Sequence, residues 1–319
     1  MIKTIELKKL DDLSLTIENP YLDKNNFYKL IIEDKEMFII ESVASNPIGT
    51  VVISPPYGKT AHQSVLLSYY LQQNGFNVIR YDGFDNVGLS SGRLLDYKIS
   101  QTEKDLERLI QNFQFDQSLP LIGLSLSLSF PSMLKFASDN NVFSNLITVV
   151  GVIDVAATVE RVVGRSLDPW HRRDSDASEL MKVFGHDIYA QPFYDDMRNN
   201  KYFDIEDSID ALSNLKSSLN MIVAARDEFV SMTEFEQFKL HFTANDEYTI
   251  LENATHEIGR SMSLTKKAAE LVVKHALSRS DREIKIPHIT EVIKISSLES
   301  KVINKCEELM KQESVVLAG

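Results

Sequence analysis

The stretch Gly123-Leu124-Ser125-Leu126-Ser127 follows the apolar run Leu119-Pro120-Leu121-Ile122. A small residue, any residue, a serine, any residue and a second small residue, at the end of a buried-type strand, match a nucleophile elbow. On that sharp turn the serine hydroxyl stands above the sheet edge, and the small residues let strand and helix backbones approach closely. Ser127 takes the place of the usual closing Gly. Ser125 is therefore the candidate nucleophile, the alternative being a small residue that merely fits a tight turn. A serine hydroxyl needs an imidazole to take its proton and a carboxylate to orient that imidazole. Asp227 lies just past the apolar run 221–225, and His256 lies in the loop after 248–251. Asp154 and Glu228 are rival acids, and Asp227 could instead cap the helix that carries Phe235 and Phe238. The remaining histidines, at 62, 171, 186, 241, 275 and 288, fall in segments that read as helix, insert or tail, where surface or packing roles are expected.

Acyl chemistry also needs donors for a developing oxyanion. The backbone N–H of Leu126, after the serine, is one candidate. The other should come from the loop after the strand 49–54. Pro55 and Pro56 have no N–H to give, so Tyr57 is the first candidate there.

The elements that must hold these groups follow from periodicity. Apolar β-branched runs at 37–43, 49–54, 76–81, 119–123, 146–153, 219–225 and 248–251 alternate with helical spacing at 62–74, 104–113, 129–138 and 264–278. Such alternation signals βαβ units and a mostly parallel sheet flanked by helices. Ser125, Asp227 and His256 then stand at three strand ends in the chain order of an α/β-hydrolase fold. Between 155 and 215 lie about 60 residues without strand character, rich in charge and aromatics, among them Trp170, Phe184, Phe193, Tyr194 and Tyr202. We expect residues 155–215 to form an inserted helical cap over the carboxyl edge of a core made of 1–154 and 216–319. The aromatics would line an acyl tunnel or simply form the cap's own core. A last helix is expected at 298–311, packed on the main domain.

The 319 residues carry a net charge of −12, which opposes binding to nucleic acid over most of the surface. No segment approaches the roughly 20 apolar residues needed to cross a bilayer, and the first residues carry no apolar signal core. With one cysteine, Cys306, no internal disulfide or cysteine metal cluster is expected. The cytoplasm is the default compartment, and neither a metal nor a cofactor is called for. A basic cluster around Arg161, Arg165, Arg172 and Arg173 reads as a solvated face or as a rim for an acidic partner.

The motifs resemble a specific family, the acyltransferases of bacterial luminescence. The resemblance runs through 74–82, Val87-Gly88-Leu89-Ser90-Ser91-Gly92, Ser125-Leu126-Ser127, Val150-Gly151-Val152 and the aspartate and histidine loops, over roughly residues 36–312. It departs at Gly123, where Ala is usual, at Pro55-Pro56, where a Ser-Gly-like pair is usual, and in a longer segment before Met37. The resemblance implies a serine acyltransferase or thioesterase. It would take a medium- to long-chain fatty acyl group, typically tetradecanoyl, from acyl carrier protein or coenzyme A. The acyl group would pass to water or to a partner synthetase of a fatty-acid reductase complex. Carried over, the nucleophile is Ser125, the acid Asp227 and the base His256. A carboxylesterase on the same fold is the alternative, since fold does not decide substrate.

Overall fold

A computed structural model of the chain describes residues 5–10, 24–173, 176, 178–277 and 283–317. Its strands are β1 (Ile5–Lys9), β2 (Asn25–Ile32), β3 (Lys35–Ser42), β4 (Gly49–Ile53), β5 (Phe76–Tyr81), β6 (Leu121–Leu126), β7 (Asn145–Val149), β8 (Leu180–Val183), β9 (His186–Tyr189), β10 (Ser218–Ala224) and β11 (Glu247–Leu251). Nine of them form one sheet in the order β1-β2-β3-β5-β4-β6-β7-β10-β11, and β8 and β9 form a separate hairpin. From β5 to β11 all neighbours pair in parallel, as the apolar runs predict. Every residue of β4 and β7 is buried, as expected for strands covered on both faces.

β1 and β2 extend the sheet, antiparallel, beyond β3, the first strand that the periodicity suggests. Lys29 interrupts the apolar pattern of β2, yet it is buried and pairs with Glu36 at 2.9 Å.

The helices are α1 (Val65–Gln73), α2 (Ile99–Asn112), α3 (Phe130–Asn140), α4 (Val155–Val163), α5 (Asp168–His171), α6 (Ala190–Asn199), α7 (Ile205–Asn214), α8 (Met232–Lys239), α9 (Met262–Ala276) and α10 (Ile289–Leu317). Two apolar layers sandwich the sheet. One is shared by α2, α3, α7 and α8, the other by α1, α9 and α10. This is an α/β-hydrolase fold. β4 pairs with β5 on one side and β6 on the other, so the chain reverses direction across the sheet there. The crevice outside the carboxyl ends of strands at such a reversal is where open α/β sheets bind ligands.

The insert between β7 and β10 carries α4 to α7 and, unexpectedly, the β8–β9 hairpin. It is tied to α2. Asp196 accepts from Ser100 N (3.0 Å) and Ser100 Oγ (2.5 Å), and the Tyr202 hydroxyl donates to Glu103. Trp170, Phe193, Tyr194 and Tyr202 are buried in the apolar layer that includes α2 and α3. Among the described residues no helix is long and apolar enough to cross a membrane.

Candidate active site

β6 runs three residues further than the sequence suggests, because Ser125 and Leu126 still pair with Thr148 and Val149 of β7. The chain turns only at Ser127, whose φ of 53° is left-handed and strained for a residue with a side chain. Its carbonyl is held by the N–H groups of Phe130 and of Val152 (3.2 Å). The residues two before and two after, Ser125 and Ser129, are small and fully buried. Ser129 Oγ accepts from Leu126 N at 3.1 Å and donates to Leu126 O at 2.9 Å, closing the turn. Thus the elbow reads Ser-x-Ser-x-Ser and centres on Ser127.

Ser127 Oγ lies 2.7 Å from His256 Nε2. On the other side of the ring, His256 Nδ1 lies 2.8 Å from Asp227 Oδ2 and 3.1 Å from Oδ1. The side chains of Asp227 and His256 are 2% and 6% exposed, so water competes little for these bonds. Asp227 Oδ1 also accepts from Phe229 N and Val230 N, 2.9 Å each, which fixes the carboxylate on its loop. Glu228, the rival acid next door, accepts from the His256 backbone N–H at 3.2 Å. Asp154 caps α4 by accepting from Ala157 N. The cap of α8 is Ser231, not Asp227.

Ser125, expected as the nucleophile, is not brought to the imidazole. It is a β6 residue, fully buried, and its hydroxyl meets no partner among the described residues. Period-two geometry explains the two-residue displacement. Ser125 and Ser127 lie one full strand repeat apart, and the extra length of β6 decides which one reaches the turn. The expectation for Leu126 shifts with it. Its N–H precedes the elbow serine and is given to Ser129 Oγ. The N–H that follows the elbow serine belongs to Leu128.

Tyr57, in the loop after β4, lines the same cleft as Ser127 and His256. No acceptor meets its N–H among the described residues. Asn86 holds the loop on both sides: its Oδ1 accepts from Gly58 N (3.0 Å) and its Nδ2 donates to Pro56 O (3.2 Å). Asp82 carries the neighbouring turns by accepting from Ala61 N and Leu89 N, each at 2.7 Å. Burial pushes the Asp82 carboxyl up to about 6, against these two hydrogen bonds. Gly88 faces this carboxylate, with φ of 121°. A Cβ there would meet Asp82 Oδ2 at 2.1 Å, so no side chain fits.

A cleft of about 550 Å³ opens beside Ser127 and His256. Its apolar wall comes from Leu66, Leu67, Leu126, Val149, Val150, Ile258 and Ala268, with Phe184 and His186 from the insert. Trp170, Phe193, Tyr194 and Tyr202 of the insert pack in the core, so the cleft is built chiefly by the sheet end, the loops 56–59 and 256–260, α1 and α9. The basic cluster is neutralised in part. Arg161 pairs with Glu234, Arg165 with Glu179 at 2.7 Å, and Arg173 with Asp195 at 3.7 Å. Among the histidines expected to be bland, His186 alone lines this cleft.

A serine hydroxyl bonded to an imidazole that is oriented by a buried carboxylate is equipped for acyl transfer. An acyl transferase family profile matches residues 32–314. The chain belongs to this acyl transferase family. An acyl transferase of Photobacterium phosphoreum is 26% identical over 232 residues, 72% of this chain and 74% of that protein. One from Shewanella hanedai is 23% identical over 288 residues, 86% and 92% of the two chains. Solved structures support the fold. Est1E from Butyrivibrio proteoclasticus with ferulic acid bound has a TM-score of 0.61 at 14% identity, covering 76% of this chain and 96% of that one. The thioesterase domain from the curacin biosynthetic pathway has a TM-score of 0.56 at 13% identity, covering 80% and 99%. The chain is thus an acyl transferase family member on an α/β-hydrolase scaffold.

Proposed function

We propose that this protein is a serine acyltransferase or thioesterase working through an acyl-enzyme on Ser127, with His256 as base and Asp227 as its orienting acid. The observation that carries the reading is the unbroken bond chain Ser127 Oγ–His256 Nε2 and His256 Nδ1–Asp227 Oδ2 at the mouth of an apolar cleft. His256 takes the Ser127 proton as Oγ bonds to the thioester carbonyl carbon. The N–H groups of Leu128 and Tyr57 stabilise the oxyanion. Collapse breaks the carbon–sulfur bond, and the imidazolium returns its proton to the departing thiolate. An acceptor then repeats the sequence in reverse and frees Ser127.

The donor is a medium- to long-chain fatty acyl thioester of acyl carrier protein or coenzyme A, and the acceptor is water or a partner enzyme. An apolar wall favours an alkyl chain, because each buried methylene contributes roughly 0.8 kcal/mol. Preference should therefore rise with chain length until the cleft is filled. Release of free thiol from acyl-coenzyme A of increasing length, beside matched oxygen esters, tests this. A kcat/KM that climbs with length and favours thioesters is the expected result. A profile flat in length, or one that favours oxygen esters throughout, would replace the thioester reading by a carboxylesterase.

A further inference from the structure

The β8–β9 hairpin turns on Phe184-Gly185, with φ of 45° and 87°. Two left-handed residues in a two-residue hairpin loop make a turn for which Asn-Gly or Gly-Gly is the unstrained choice. A phenylalanine is strained there and has no local reason to occupy the first position. Its contacts lie across the active site. The Phe184 ring stacks on His256 with 5.7 Å between centroids and 10° between planes. It meets Phe229 edge-on at 5.0 Å and reaches Tyr57 at 6.3 Å. Phe229 in turn stands edge-on to His256 at 5.2 Å. The root of the hairpin is fixed, with Met181, Val183 and Ile188 buried and β9 packed on the turn Leu94–Asp96. Phe184 is thus presented on a rigid arm.

We infer that Phe184 is a specificity-determining residue, one that shields the Ser127 acyl ester from water and leaves the cleft as the route for the acceptor. The inference rests on the acyl-enzyme reading. In hydrolysis, water gives a proton to His256 Nε2 as its oxygen bonds to the acyl carbon. The ester bond to Ser127 Oγ then breaks, Oγ takes the proton back, and the acyl group leaves as a carboxylic acid. A thiol acceptor follows the same course with sulfur in place of the water oxygen, yielding a thioester. The outcome depends on which nucleophile reaches Nε2. The Phe184 ring stacks parallel to the imidazole, whose Nε2 is taken up by Ser127 Oγ at the cleft. Exclusion of water protects a reactive intermediate in just this manner.

The test uses p-nitrophenyl octanoate, an activated ester that acylates a nucleophilic serine whatever its natural donor. Decay of the adduct is followed by intact mass in buffer alone and with 2-mercaptoethanol as competing acceptor. Phe184→Ala should hydrolyse its adduct about tenfold faster than the wild type as water gains access, and the fraction transferred to the thiol should fall. Phe184→Leu, which keeps apolar bulk, should lie between the two, and it carries the test alone if the alanine variant melts below assay temperature. A gain in hydrolysis is a readout that a purely structural role would not give. An adduct that forms normally but decays no faster in either variant overturns the inference alone. If the wild type neither forms an adduct nor releases p-nitrophenol faster than Ser127→Ala, or if Ser127→Ala forms the same adduct, the acyl-enzyme reading fails and takes the inference with it.

Discussion

At the scale of single residues, two serines two positions apart have opposite roles. Ser127 reaches His256, whereas Ser125 is a small, buried residue of the strand. Ser127→Ala should lower thiol release from an acyl thioester by about 10³-fold or more, as loss of a triad member does. Ser125→Ala removes a buried hydroxyl without a partner among the described residues. It should leave turnover within about threefold and stability unchanged or slightly raised, as deleting an unpaired buried polar group does. Asp227→Asn keeps the shape of the site but offers His256 an amide, and should lower kcat by about 10⁴-fold through the wrong tautomer. Stopped assays on the three variants check these outcomes. The sequence displays all three serines of Ser125-Leu126-Ser127-Leu128-Ser129, and a five-residue pattern of small residues fits the centre at 127 as well as that at 125. What distinguishes them is the pairing of β6 with β7 through Val149, a long-range fact. Asp227 and His256 needed no such knowledge, because each lies in a polar loop directly after an apolar run.

At the scale of elements, the loop after β4 is shaped by Asn86 from the loop after β5. Removing both Asn86 bonds should loosen the Tyr57 N–H. Asn86→Ala is therefore expected to reduce kcat by about tenfold with KM little changed, less than outright deletion of an oxyanion donor. Steady-state kinetics on one thioester separates this from a binding defect, which would raise KM instead. The parallel strands were legible because each carries a short apolar, β-branched run, and the helices flanking them because their spacing is regular. The hairpin in the insert was not. Each of its strands has only four residues, Leu180 and Asp187 face outward, and the turn holds Phe184 where Asn would announce a hairpin. The insert's aromatics were legible as apolar mass, but whether they line a tunnel or fill a core depends on packing against α2 and α3.

At the scale of the whole molecule, α10 closes one face of the sheet with a stripe of Val292, Ile295, Val302, Cys306 and Met310. Within that stripe stands Glu299, fully buried and bonded by both terminal nitrogens of Arg80 at 2.8 and 2.9 Å and by His62 at 2.9 Å. Burial alone would raise the Glu299 carboxyl, but the Arg80 charge and these bonds hold it below its ordinary range. Replacing it by leucine leaves a buried guanidinium without its carboxylate, which should cost about 3–5 kcal/mol of stability, measurable by urea unfolding. Asp105 behaves in the opposite sense. Burial pushes it up to about 7 from an ordinary 3.8, although it accepts from Phe84 N, Gln101 and Arg108. The folded chain therefore holds a proton there that the unfolded chain releases near pH 4, and the stability it contributes is lost as pH rises toward 7. Asp105→Asn should flatten the decline in urea midpoint between pH 4 and pH 7. The central claim, however, is covalent, and the most direct test is the intact mass of the whole chain after brief incubation with tetradecanoyl-coenzyme A. The account predicts one acyl adduct on the wild type and on Ser125→Ala, and none on Ser127→Ala. An adduct that survives loss of Ser127 but not of Ser125 would contradict it.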